Sequence, residues 1–175
     1  MLFTLILASS LTLTIAGEGD AQVVGSVTEH ESTLLSQGGG ALYGLQITER
    51  RNRACQVRAF FRGASPRTSQ FCSGRVVGRH VRDASAALMG IAEEVTGLSA
   101  CMDRNEKIAV VRLHSGSGQT AEASVGECAT DYQRVDCESG WAVQGIQLYF
   151  DGAAETRSHR NLSGMRPLCT LMAMQ

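Results

Sequence analysis

The chain has 175 residues, 43% of them hydrophobic, and a formal net charge of −1. That balance fits one domain with a core large enough to fold alone, and it gives no electrostatic reason to expect nucleic acid or an acidic membrane surface as a partner. With 5% aromatic residues and two prolines, the core has to be aliphatic.

At the N-terminus, Leu2 to Ile15 carries no charged side chain and is followed by the small residues Ala16, Gly17, Gly19 and Ala21. The run is shorter than the roughly 20 residues a membrane-spanning helix needs. A short apolar segment followed by small residues is the pattern of an export signal. Residues 1–21 are therefore expected to be a signal peptide, cut after Ala16 or Ala21. Residues 22–175 would then be a single exported domain without a membrane span.

The middle of the chain repeats. Gly44-Leu45-Gln46, Gly97-Leu98-Ser99 and Gly145-Ile146-Gln147 stand 53 and 48 residues apart. Two residues before each glycine are Leu42, Val95 and Val143. One residue after it are Leu45, Leu98 and Ile146, and three after it Ile47, Ala100 and Leu148. Alternation of apolar and polar residues marks strands with one buried face. The columns before and after the glycine are three apart, however, and alternation needs an even number. A β-bulge absorbs the extra residue, often with glycine in a left-handed conformation, so Gly44, Gly97 and Gly145 are expected at bulges. Val57-Arg58, Val111-Arg112 and Met165-Arg166 recur 54 residues apart as the return strands. The units, about 39–63, 90–116 and 137–169, are strand–turn–strand repeats of roughly fifty residues. Arg51-Asn52 and Asp103-Arg104-Asn105-Glu106 read as their turns, with a longer connection from Ala153 to Asn161.

Residues 64–87 and 115–136 link the units and are too long for simple turns, so they are expected to add outer strands or structured loops. A short strand is expected over Val76–Val81 and one or two helical turns over Ala84–Glu94.

Six cysteines, Cys55, Cys72, Cys101, Cys128, Cys137 and Cys169, agree with export and imply disulfides. No C-x-x-C occurs, and the four histidines lie far from the cysteines in sequence, so neither a metal site nor a cofactor is expected. Cys137 and Cys169 flank antiparallel partners of the third unit and should pair. Joining each remaining strand cysteine to the next linker cysteine gives Cys55–Cys72 and Cys101–Cys128.

Catalytic signatures are missing. His114-Ser115-Gly116-Ser117-Gly118 is not a nucleophile elbow and reads as a hinge-like loop. Glu93-Glu94 are neighbours that point apart, and Gly38-Gly39-Gly40 has no helix pattern after it. Asn161-Leu162-Ser163 is a glycosylation sequon in a eukaryotic host. The chain is thus expected to bind rather than catalyse. Trp141, Tyr149 and Asp151 gather on one strand, with Tyr149 on the outward parity. An exposed aromatic beside a carboxylate suits a sugar ring and its hydroxyls. Arg58, Arg112 and Arg166 also point outward, one per repeat, as further ligand-binding candidates.

The third unit resembles a known family. Cys137, Gly140, Gly145-Ile146-x-Leu148 and the return Leu162-Ser163-Gly164-Met165-Arg166-Pro167-Leu168-Cys169 are similar to the repeat of the vitelline membrane outer layer protein family. The first unit keeps Gly39 and Gly44 without the flanking cysteines, and the family's tryptophan-rich segments are missing. Dermatopontin-like repeats are a more distant match. The resemblance implies an all-β fold: a β-prism of three antiparallel sheets around a pseudo-threefold axis, shared with jacalin-type lectins. It also implies a secreted, non-enzymatic role in glycan binding or in an extracellular coat or matrix. The jacalin-type Gly-x-x-x-Asp sugar loop does not occur. The competing reading is a secreted protein–protein interaction module, an inhibitor or toxin-associated, that uses flat sheet faces. Export is checked by intact mass: the secreted protein should begin at Gly17 or Gln22, and a mass that retains Met1–Ile15 would reject the signal peptide.

Overall fold

The computed structural model describes residues 22–50, 53–70, 81–90, 93–152 and 160–171. They form twelve strands: β1 (Val24–Gly25), β2 (His30–Leu35), β3 (Leu42–Arg50), β4 (Ala54–Phe61), β5 (Arg67–Gln70), β6 (Val81–Leu88), β7 (Val95–Met102), β8 (Ile108–Ser115), β9 (Thr120–Ser124), β10 (Gln133–Asp136), β11 (Trp141–Asp151) and β12 (Asn161–Leu171). Three four-stranded antiparallel sheets run β1-β12-β11-β2, β5-β4-β3-β6 and β10-β7-β8-β9. The three glycine hairpins, β3–β4, β7–β8 and β11–β12, are their central pairs, so this is the all-β prism that the family resemblance implies. Each hairpin is followed by a third strand beside its return strand and a fourth beside its first strand. In the sheet of the last hairpin these two places are taken by β1, beside β12, and β2, beside β11.

The apolar columns meet on the prism axis. Leu42, Leu45, Ile47, Val95, Leu98, Ala100, Val143, Ile146 and Leu148 are all buried, packed with Val57, Val111, Met165 and Phe150 from the same core. Each fully buried Leu, Ile or Val side chain contributes about 1.5–3 kcal/mol from desolvation.

The three bulges lie at the predicted place. Pairing shifts between Leu42 and Gly44, between Val95 and Gly97, and between Val143 and Gly145. The extra residues are Tyr43, Thr96 and Gln144. The glycines, however, are not left-handed. Their reason is close approach of the fourth strand. A Cβ on Gly44 would lie 3.1 Å from Ala87 O, on Gly97 2.9 Å from Val135 O, and on Gly145 3.0 Å from Leu34 O. A second shift in each hairpin leaves Cys55, Ala109 and Ser163 extra on the return strand, three residues before Arg58, Arg112 and Arg166.

Outer strands do fill the linkers, as β5, β6, β9 and β10. Ala84–Leu88 belongs to β6 and is not helical, because pairing with β3 overrides the helix preference of its alanines. Of the expected strand over Val76–Val81, all but Val81 lies outside the described residues. Disulfides join Cys101 to Cys128 and Cys137 to Cys169, with Cα–Cα distances of 5.5 and 5.7 Å. Cys55 is buried, and its expected partner Cys72 lies outside the described residues, as do the signal segment and the Arg51-Asn52 turn. Asp103–Lys107 is a tight turn whose Asp103 Oδ1 accepts from the amides of Asn105 at 2.7 Å and Lys107 at 3.0 Å. Burial alone would raise the Asp103 carboxyl, but these amide bonds outweigh it and hold the carboxyl below its usual value.

The closure of the third sheet hangs on Gly164. A Cβ there would run into the backbone of Ser26, with the Ser26 carbonyl carbon at 3.0 Å and its nitrogen at 3.1 Å. We expect Gly164→Ala to lower the unfolding free energy by about 1–3 kcal/mol, the usual cost of overpacking. Urea denaturation measures it, and an unchanged midpoint would show that β1 is not held at this point.

Candidate functional site

The bulges gather at one end of the prism, opposite the hairpin turns. The described connections 36–41, 62–66, 89–90 with 93–94, 116–119 and 137–140 lie there. Loops positioned by a rigid sheet are where binding groups concentrate, and bulges re-aim side chains beside such sites. Tyr43 is a bulged residue of this kind, half-buried, with its ring 6.1 Å from that of Phe60. Gly38 (φ 111°) and Gly39 (φ 78°) take conformations other residues resist, which brings the next residues onto the β4–β5 turn. There Arg62 N donates to Ala41 O at 3.0 Å, and a side chain on Gly40 would collide with the Arg62 carbonyl.

Arg62 is the chemical centre of this end. Its Nη1 donates to Glu94 Oε1 at 3.2 Å, while Nε and Nη2 are buried without a hydrogen-bond partner. Tyr43, Phe61, Arg62, Gly63, Ala64 and Ser65 line a depression of about 550 Å3. An unpaired buried donor forfeits about 1–3 kcal/mol, so this guanidinium is primed to donate two hydrogen bonds in a fixed fork. The adjacent Glu93 turns away. Its carboxylate accepts from Ser117 Oγ at 2.7 Å and Gln119 Nε2 at 3.3 Å. The His114–Gly118 stretch is therefore a hairpin turn clamped to the β6–β7 loop, and not a hinge.

Of the residues singled out in the sequence, Trp141 is half-buried at this same end, on the first position of β11. Asp151 is at the far end of that strand, ten residues on and roughly 33 Å away. It pairs with Lys107, the only lysine of the chain, in the β7–β8 turn. Tyr149 is 4% exposed. Its parity is outward, but its cross-strand neighbour is Gly164, over which the Ser26 backbone lies, so this part of the face is covered. The three residues thus form no cluster. Arg58, Arg112 and Arg166 lie one per sheet, on β4, β8 and β12, and do not converge. Arg58 sits 5.3 Å from the centre of the Phe60 ring. Arg112 stacks 3.9 Å from that of Tyr132 and pairs with Glu122 at 2.5 Å. Arg166 is half-buried beside Gln147. Arg62 escaped notice in the sequence, and Glu94 was weighed only beside Glu93, because the Arg62–Glu94 pairing joins two loops 32 residues apart. Tyr43 carried a signal, since it fills the extra position that the glycine columns demand.

No protein-family model and no curated protein sequence matches the chain. Solved structures do. The chain is similar to a prostate-specific glycoprotein lectin at 9% identity and a TM-score of 0.56, over 86% of this chain and 99% of that one. It is similar to Calystegia sepium agglutinin at 11% and 0.58, over 87% and 97%. The second β-prism domain of RbmC from V. cholerae matches at 10% and 0.50, over 85% and 97%. The likeness establishes the fold: a β-prism. Among the described residues no group of His, Cys, Asp or Glu side chains is placed to hold a metal ion, and no helix is long and apolar enough to cross a membrane.

The outer face of the β7–β8 sheet holds a separate polar network. Ser99 Oγ and His114 Nε2 share a hydrogen bond at 2.8 Å, and Arg134 chelates Asp136 beside Gly97. Burial, then Arg134 and Arg112, push the His114 pKa below 6.5, against the pull of Asp136. The folded state thus prefers the neutral ring. This share of stability is complete above the unfolded value near 6.5 and declines as the pH falls below it. Thermal melts at pH 7.5 and pH 5 should show a smaller acid shift for His114→Gln than for the wild type. Equal shifts would rule out His114 as a contributor.

Proposed function

We propose that the chain is a secreted, non-enzymatic carbohydrate-binding protein that takes glycan at the bulged end of the prism. The observation that carries this reading is Arg62, anchored by Glu94 and holding two buried, unpaired donors beside the Tyr43 ring. Sugar hydroxyls meet the partly exposed pair, accepting from the Arg62 guanidinium and donating to the Glu94 carboxylate, and the apolar face of the ring rests on Tyr43. Unpaired donors that a ligand satisfies give selectivity, because an analogue lacking the hydroxyl leaves them unpaired again.

Support comes from the neighbours of the fold. Two are lectins or agglutinins, and one solved neighbour, Calsepa lectin, is described in complex with a biantennary N-glycan. The Cys101–Cys128 and Cys137–Cys169 disulfides favour an oxidising, extracellular setting. The similarity of Cys137–Cys169 to the vitelline membrane outer layer repeat favours a coat or matrix as the place of action. Glu93 and Glu94 are held by different neighbours and do not face each other, which argues against a paired-carboxylate hydrolase.

A glycan array with wild type and Arg62→Met tests the reading. The variant should lose at least tenfold in retention, about 1.4 kcal/mol, while its melting temperature stays close to wild type. Full retention by both Arg62→Met and Tyr43→Ala would move the site elsewhere. The absence of any retained glycan would reject the function.

A further inference from the structure

The three corners of the prism are built alike. At each, the fourth strand of one sheet faces the third strand of the next: β6 faces β9, β10 faces β1, and β2 faces β5. At the first corner the strands pack along each other. The second is bridged by Gln133 Oε1, which accepts from the Gly25 amide at 2.7 Å. The third opens into a groove of about 670 Å3.

The walls of this groove are short and polar. Ser32, Thr33, Ser36 and Thr68 offer hydroxyls, Gln37 an amide and Arg67 a guanidinium. The Ser36 hydroxyl is buried without a hydrogen-bond partner. Leu35 and Pro66 supply the apolar contact. Donors and acceptors interleaved with apolar surface from Leu35 and Pro66 suit a polyhydroxylated ligand, whose rings carry hydroxyls on their edges and C–H groups on their faces.

The groove and the site already described are lined by consecutive stretches of the chain. Residues 61–65 line the depression around Arg62, and the next three, Pro66–Thr68, line the groove. On the opposite wall, Ser32–Gln37 leads directly into the Gly38–Gly40 loop packed on Arg62. β2 alone extends for about 20 Å, longer than one sugar ring. We propose that the groove between β2 and β5 is a second subsite that receives the continuation of a linear glycan anchored at Arg62. The ligand is an extended oligosaccharide and not a lone terminal sugar. This rests on the glycan reading above. A peptide adding to the open edges fits less well, because β5 has four residues and begins next to Pro66, which leaves few rungs for pairing.

Calorimetric titration with chito-, cello- and manno-oligosaccharides of one to six units tests this. For at least one series, Kd should fall tenfold or more between the disaccharide and the hexasaccharide. Thr68→Trp fills the groove from an exposed position and should erase that gain while leaving the disaccharide affinity unchanged. Thr33→Trp, on the opposite wall, should do the same. Affinity independent of length in every series, or a length gain that survives both substitutions, overturns the groove and leaves the Arg62 site standing. No binding in any series, with no glycan retained on an array, overturns both readings. Retention of extended peptides in place of glycans would assign the open edges to strand addition and overturn the proposal as well.

Discussion

The prism depends on one repeated contact: the backbone of a fourth strand pressed against a glycine of the first. At Gly44, Gly97 and Gly145 the neighbouring carbonyl oxygen stands 3.1, 2.9 and 3.0 Å from where a Cβ would lie, closer than a side chain comfortably allows. That approach lets a four-stranded sheet form on each side of the axis. The bulge just before the glycine then bends the strand, so that residues on either side of it still face inward. Core, corners and the end loops all follow from this pair of devices. Tyr43 is the clearest case, because it reaches the surface of the end only by occupying the bulge.

The same contact explains how the three outer faces differ while the backbone does not. Across each glycine lie one residue from the fourth strand and one from the return strand: Leu88 and Phe60, Asp136 and His114, Leu35 and Leu168. Two of these rows are apolar and one is polar. Across these glycines the threefold scaffold has diverged in its side chains, and its ends carry distinct chemistry, as the Arg62–Glu94 pair does.

What could be read from the sequence follows the same division. The apolar columns and their odd spacing reported the hairpins, the bulges and the core, because those features are local and repeat three times. The conformation of the glycines was not readable, since the contact that demands them comes from residues about 40 positions later in the first two units and more than 100 earlier in the third. Strand β2, His-Glu-Ser-Thr-Leu-Leu, shows little alternation and went unmarked. Ala84–Leu88 has the composition of a helix until β3 pairs with it. For Tyr149, parity gave the face but not what covers it. For Trp141 and Asp151, proximity in sequence became distance along an extended strand. Arg62 has no local signature at all, and only the fold brings Glu94 to it.

The third sheet is assembled from both ends of the chain, with Val24 opposite Met165 and Leu34 opposite Ile146. The prism is in this sense a ring with a seam. Of the twelve strands, the first two have no sheet partners until the last two are made, so the closing contacts are among the least local of those described, and closure on that scale is slow. The Cys137–Cys169 bridge lies within the hairpin that waits for them. It can tie β11 to β12 before the seam is sealed, leaving the N-terminal strands to zip onto a partner that is already rigid.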